Sequence, residues 1–102
     1  MKVLLVCSAG MSTSLLARAM EEAARAQGLA VEVACAGVAE LPEALSGTAV
    51  VLVGPQVRHR WPGVQDACAH AGVPAGLIEG RVYGLVDGRG ALAQALTLAG
   101  AG

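Results

Sequence analysis

The chain has 102 residues and a formal net charge of -1, which suits one domain spanning residues 1–102 and gives no electrostatic case for nucleic-acid binding. Hydrophobic residues make up 55% of it and aromatics 2%, so the core is built from Val, Leu, Ala and Ile, and base-stacking platforms are lacking. No apolar stretch approaches the ~20 residues of a membrane span, and the first apolar run is shorter than the ~7–15 residues of a secretory h-region. The cysteines number three, without a C-x-x-C pair. Neither His59 nor His70 sits at a metal-ligand spacing from a cysteine. That argues against a disulfide framework or a metal site and for reduced thiols in the cytoplasm.

Taken in chain order, the pattern alternates between strands and helices. Lys2 to Val6 reads as a buried strand. Ser12 to Gln27 reads as a helix with Leu15, Leu16, Ala19, Met20, Ala23 and Ala24 on its apolar face, Arg18/Glu22 and Glu21/Arg25 paired on the other, and Gly28 as its stop. Ala30 to Cys35 alternates, as a half-exposed edge strand does. Glu40 to Leu45 suggests a short helix with Pro42 in its first turn. Thr48 to Val53 is a continuous apolar run, the signature of a central parallel strand, closed by Gly54-Pro55. A helix is expected from Pro62 to Ala71, ended by Gly72. Pro74 to Ile78 is a weaker strand because Gly76 interrupts it. Arg81 to Gly90 holds three glycines and reads as a loop before a last helix, Gly90 to Leu98. Such β-α alternation implies a three-layer α/β fold, with a parallel sheet covered by helices on both faces. Ligands then bind beyond the carboxyl ends of the strands. If the first and third strands are neighbours, the turn after Cys7 and the turn Gly54-Pro55-Gln56 meet at one site.

The chemistry concentrates in Cys7-Ser8-Ala9-Gly10-Met11-Ser12-Thr13-Ser14-Leu15. This stretch places one thiol between a buried strand and a helix start. Free backbone N–H groups and the positive end of a helix dipole favour both a thiolate and a phosphoryl group. Gly10 lets the chain turn towards an anion, and the hydroxyls of Ser12, Thr13 and Ser14 either bind that anion or cap the helix. Cys7 is thus the candidate nucleophile, the alternative being a buried structural cysteine at a strand end. Its sulfur is expected to be exposed at the mouth of a pocket formed by main-chain amides.

The same residues resemble the phosphocysteine loop of the IIB component of the bacterial phosphoenolpyruvate-dependent sugar phosphotransferase system, lactose/cellobiose (chitobiose) type. Val50-Val51-Leu52-Val53-Gly54-Pro55-Gln56 looks like that family's third strand end, and Val82-Tyr83-Gly84-Leu85-Val86-Asp87-Gly88 like its late loop. The resemblance implies a four-stranded parallel sheet in the order 2-1-3-4, similar to low-molecular-weight tyrosine phosphatase. It further implies a cytoplasmic phosphotransferase whose Cys7 accepts phosphate from a phosphohistidine on a IIA component. That phosphate passes to a disaccharide or oligosaccharide bound by the membrane IIC component. Ser8, Ala9, Gly10, Met11, Ser12, Thr13 and Ser14 would wrap the phosphate, and Gly54, Pro55, Gln56 and Tyr83 would border the site. No metal and no cofactor is implied beyond the covalent phosphocysteine.

A low-molecular-weight phosphatase or arsenate reductase is the nearest rival, and a non-transporting regulatory domain the next. The phosphatases place an Arg six residues after the nucleophile, and here that position is Thr13. Without a bidentate guanidinium, hydrolysis loses transition-state stabilisation, which protects a carrier from discharge by water. Cys35 and Cys68 read as small core residues, not resolving thiols. Arg58-His59-Arg60-Trp61 reads as a solvated turn, with docking of a partner or approach to phosphate as the alternative, and Asp87 as a loop or helix-capping residue.

Overall fold

The computed structural model describes residues 1–8 and 13–100. Strand β1 (Lys2–Cys7) leads to α1 (Ser14–Ala26), then β2 (Glu32–Gly37), β3 (Val50–Val53), α2 (Trp61–Ala71), β4 (Ala75–Leu77), α3 (Gly80–Gly84) and α4 (Gly88–Leu98). The four strands pair in the order β2-β1-β3-β4, and every pairing is parallel. The central strands are β1 and β3, whose unbroken apolar runs are needed because both of their faces are covered. On one face Val3, Leu5, Val50 and Leu52 pack with Leu16, Ala17 and Met20 of α1 and Ala91 and Ala95 of α4. On the other, Leu4, Val6, Val51 and Val53 pack with Val57, and with Val64 and Cys68 of α2.

Three expectations change. Leu15 is 67% exposed, because the buried stripe of α1 runs through Leu16, Ala17, Met20 and Ala24 and turns its neighbour outwards. The Glu40–Leu45 helix is replaced by two short 3-10 turns, Val38–Glu40 and Glu43–Leu45. Pro42 forces the preceding residue out of the helical region, and Leu41 is accordingly extended at φ -83, ψ 147. The Arg81–Gly90 segment is not all loop. Its start forms α3, a single turn in which Tyr83 N donates to Glu79 O and Leu85 N to Arg81 O. Its flanking glycines hid that turn from the pattern, whereas burial of Val82 and Tyr83 against the core holds it.

Candidate functional site at the carboxyl end of β1

Cys7 is the last residue of β1. The Gly54 N–H donates to Val6 O at 2.8 Å, which extends the β1–β3 pairing by one step and lays the turn after β3 beside Cys7. A Cβ placed on Gly54 would stand 3.5 Å from Val6 O and 3.8 Å from Thr13 Cγ2, ordinary contact distances that put Gly54 directly against both neighbours. Gln56 folds back over Gly54, its Oε1 being 3.0 Å from the same point. The structure therefore brings together Cys7, Thr13, Gly54 and Gln56. Pro55 opens the short 3-10 turn that follows, Pro55–Arg60.

The start of α1 lies beside the sulfur. Thr13 occupies the N-cap position, and Ala17 N donates to its carbonyl at 2.9 Å. The Thr13 side chain makes no capping bond; its hydroxyl donates to Cys7 Sγ at 3.9 Å. The thiol thus lies at the positive end of a helix of 13 residues, the setting that stabilises a thiolate. Ser8 and Ser14 are exposed on either side. The roles expected of Ala9, Gly10, Met11 and Ser12 lie outside the described residues.

One expectation fails here. The Cys7 sulfur is not exposed at a pocket mouth, for the residue is 0% exposed. Strand β1 is central and covered on both faces, and Thr13 and Gly54 converge on its end. Elsewhere, Tyr83 is half-buried and packs against the core shared by α1 and α4. Arg58, His59 and Arg60 are exposed, as a solvated turn requires, and Trp61 packs partly against the α2 side of the core. Asp87 caps α4, its Oδ1 accepting from Gly90 N at 2.9 Å. Among the described residues no group of three or more His, Cys, Asp or Glu side chains could hold a metal ion. No helix among them is long and apolar enough to cross a membrane.

Residues 2–94 match the family described as "PTS system, Lactose/Cellobiose specific IIB subunit". The chain belongs to this IIB family. Among curated relatives, the oligo-beta-mannoside-specific EIIB component of Bacillus subtilis is 36% identical over 97 residues, covering 95% of this chain and 94% of that protein. The cellobiose-specific EIIB component of Lactococcus lactis is 38% identical over 101 residues, covering 94% of each. Among solved structures, the cellobiose-specific IIB component of Borrelia burgdorferi superposes with a TM-score of 0.82 at 30% identity, covering 98% of this chain and 92% of that one. The sheet order and the family agree with the expected phosphatase-like IIB architecture. As a IIB component of the sugar phosphotransferase system, the protein is a phosphotransferase that carries phosphoryl groups towards sugar uptake. Membership of this family implies IIA and IIC partners.

The meeting of the Cys7 and Gly54 turns follows from the pairing of β1 with β3, whereas the bond from Thr13 to the sulfur has no strand pattern behind it. The one signal for it was spacing, since Thr13 stands where the related phosphatases keep their arginine.

Proposed function

We propose that Cys7 is the phosphoryl carrier of this IIB component. As a thiolate, the sulfur attacks the phosphorus of a phosphohistidine on the IIA partner. The S–P bond forms as the P–N bond breaks, and the imidazole keeps the electron pair. In the second step a hydroxyl of a sugar held by the membrane IIC partner attacks phosphorus. The S–P bond breaks, sulfur leaves as thiolate, and the hydroxyl proton passes to a base of the IIC partner. The phosphate is carried covalently on sulfur, and the chemistry needs no metal or cofactor. Because Cys7 is buried, the donor must uncover the sulfur as it docks.

The observation that carries this reading is the placement of Cys7 at the end of a central strand, facing the start of α1, in a chain of the IIB family. The loop Ser8–Ser14 is assigned to the phosphoryl oxygens, Thr13 through its main-chain N–H and not its hydroxyl, with Gly54, Pro55, Gln56 and Tyr83 at the border. Such a carrier works in the cytoplasm, where IIA is soluble and IIC presents its inner face. The relatives' names point to a β-linked disaccharide or oligosaccharide of the cellobiose or mannoside kind as the final acceptor. Incubation with a phosphorylated IIA component, followed by mass spectrometry, tests the assignment. One phosphoryl group on Cys7, absent from Cys7→Ser, is the expected result. Label confined to His59 or His70 overturns it, and rapid turnover of para-nitrophenyl phosphate would point to the phosphatase.

A further inference from the structure

Thr13 and Thr48 are the buried polar side chains among the described residues. A buried hydroxyl without a partner is costly, so each has one. The Thr48 hydroxyl donates to the Ala44 carbonyl at 3.2 Å, an ordinary local turn bond. Thr13 behaves differently. It is 0% exposed and stands at the N-cap of α1, where a threonine ordinarily turns its oxygen onto the helix N–H groups. Here the side chain leaves that bond unmade and directs its hydroxyl at Cys7 Sγ, while its methyl group faces Gly54.

We propose that Thr13 tunes Cys7: its hydroxyl donates a hydrogen bond that favours the thiolate over the thiol. The inference rests on the reading of Cys7 as the carrier and assigns Thr13 a role towards sulfur, distinct from binding phosphate. A hydroxyl can donate one proton, and a thiolate is a far better acceptor than a thioether-like phosphorylated sulfur. The bond is therefore strongest when sulfur carries negative charge. It assists both halves of the relay, first by keeping the nucleophile ionised, then by stabilising the sulfur as the S–P bond breaks and its electron pair returns. Unlike a guanidinium fork, a single hydroxyl aimed at sulfur offers nothing to the equatorial phosphoryl oxygens during attack by water. Charge on the sulfur is favoured without hydrolysis being favoured.

The test is a titration of Cys7 in the whole protein labelled with carbon-13 at cysteine Cβ, its signal assigned by loss in Cys7→Ser. Thr13→Val keeps the shape and the methyl group but removes the hydroxyl; Thr13→Ser keeps the hydroxyl. The expected result is a Cys7 pKa raised by about half to one unit in Thr13→Val and restored to the wild-type value in Thr13→Ser. Unchanged Cys35 and Cys68 signals confirm that both variants are folded. Identical Cys7 titrations in wild type and Thr13→Val overturn the proposal, as does an equal shift in Thr13→Ser. So does a Cys7 that remains a thiol above about pH 9.5 in all three proteins, a full unit beyond the ordinary cysteine value. No phosphoryl donor enters this measurement. A null titration thus rejects the role of Thr13 alone, whereas failure of IIA to phosphorylate Cys7 rejects the carrier assignment alone.

Discussion

Cys68 is 1% exposed on α2, packed with Val57 and Val64, and burial pushes its thiol up. Cys7 is as deeply buried, yet it faces a helix start and a hydroxyl. The two sulfurs therefore sit in opposite settings, one among aliphatic side chains and the other beside a hydroxyl at a helix start. The raised Cys68 pKa has a consequence for stability. The folded protein holds the thiol proton more tightly than the unfolded chain, whose cysteine ionises near ~8.5. Its contribution is then complete below that value and is lost as pH rises towards the folded pKa. Thermal melts at about pH 7.5 and about pH 9.5, either side of the unfolded value, should show a larger drop in Tm for the wild-type protein than for Cys68→Ala. Equal drops would remove Cys68 from the alkaline behaviour. At this scale the candidate turn was legible, because a thiol at a strand end, followed by glycine and a run of hydroxyls, has the composition of an anion-binding turn. The burial of Cys7 was not, since Thr13, whose hydroxyl meets the sulfur, belongs to the start of the following helix.

Both edge strands of the sheet are tied down by helix side chains. Val33 N on β2 donates to Glu21 Oε2 of α1 at 2.9 Å, and Gln94 Nε2 of α4 donates to Leu77 O on β4 at 2.7 Å. Each bond occupies an edge group otherwise open to another chain. Replacing Glu21 by Ala should cost about 1 kcal/mol and accelerate amide exchange at Val33. Glu21→Gln, which keeps an acceptor oxygen, should leave that exchange closer to wild type. Exchange at Val33 that ignores both variants would disprove the tie. The contact between α1 and α4 is tighter still. A Cβ on Gly88 would fall 2.4 Å from the Ala19 carbonyl carbon and oxygen. A helix gains at most ~1 kcal/mol from Gly→Ala, and less at its first residue, so the backbone clash dominates. Gly88→Ala should lower stability by about 2–3 kcal/mol, read as a shifted urea midpoint with an unchanged slope. Among elements, those with their own periodicity were legible. β1, β3, α1 and α2 carry runs or stripes that only one arrangement buries, and Gly72 ends α2 in the left-handed conformation at φ 70. The turn α3 has no such pattern of its own and exists through the packing of Val82 and Tyr83. The stretch around Pro42 carried helix-forming residues, but the geometry imposed on Leu41 outweighed them.

At the scale of the whole molecule, the alternation of elements specified a parallel sheet, and parallel pairing sends every strand's carboxyl end to one side. Cys7, Gly54 and the turn leading into α3 consequently share that side, although they are far apart in sequence. The order β2-β1-β3-β4 could not come from periodicity, which says what a strand buries but not which strand lies next to it; the family resemblance supplied it. The same geometry fixes the opposite pole. Met1 sits at the amino end of β1, where its ammonium group donates to Ala30 O at 3.1 Å. The strand between it and Cys7 spans roughly 17 Å. A bead, fluorophore or surface tether attached through Met1 would thus leave from the far pole of the molecule. The face carrying the sulfur would stay open to whatever protein is offered in solution.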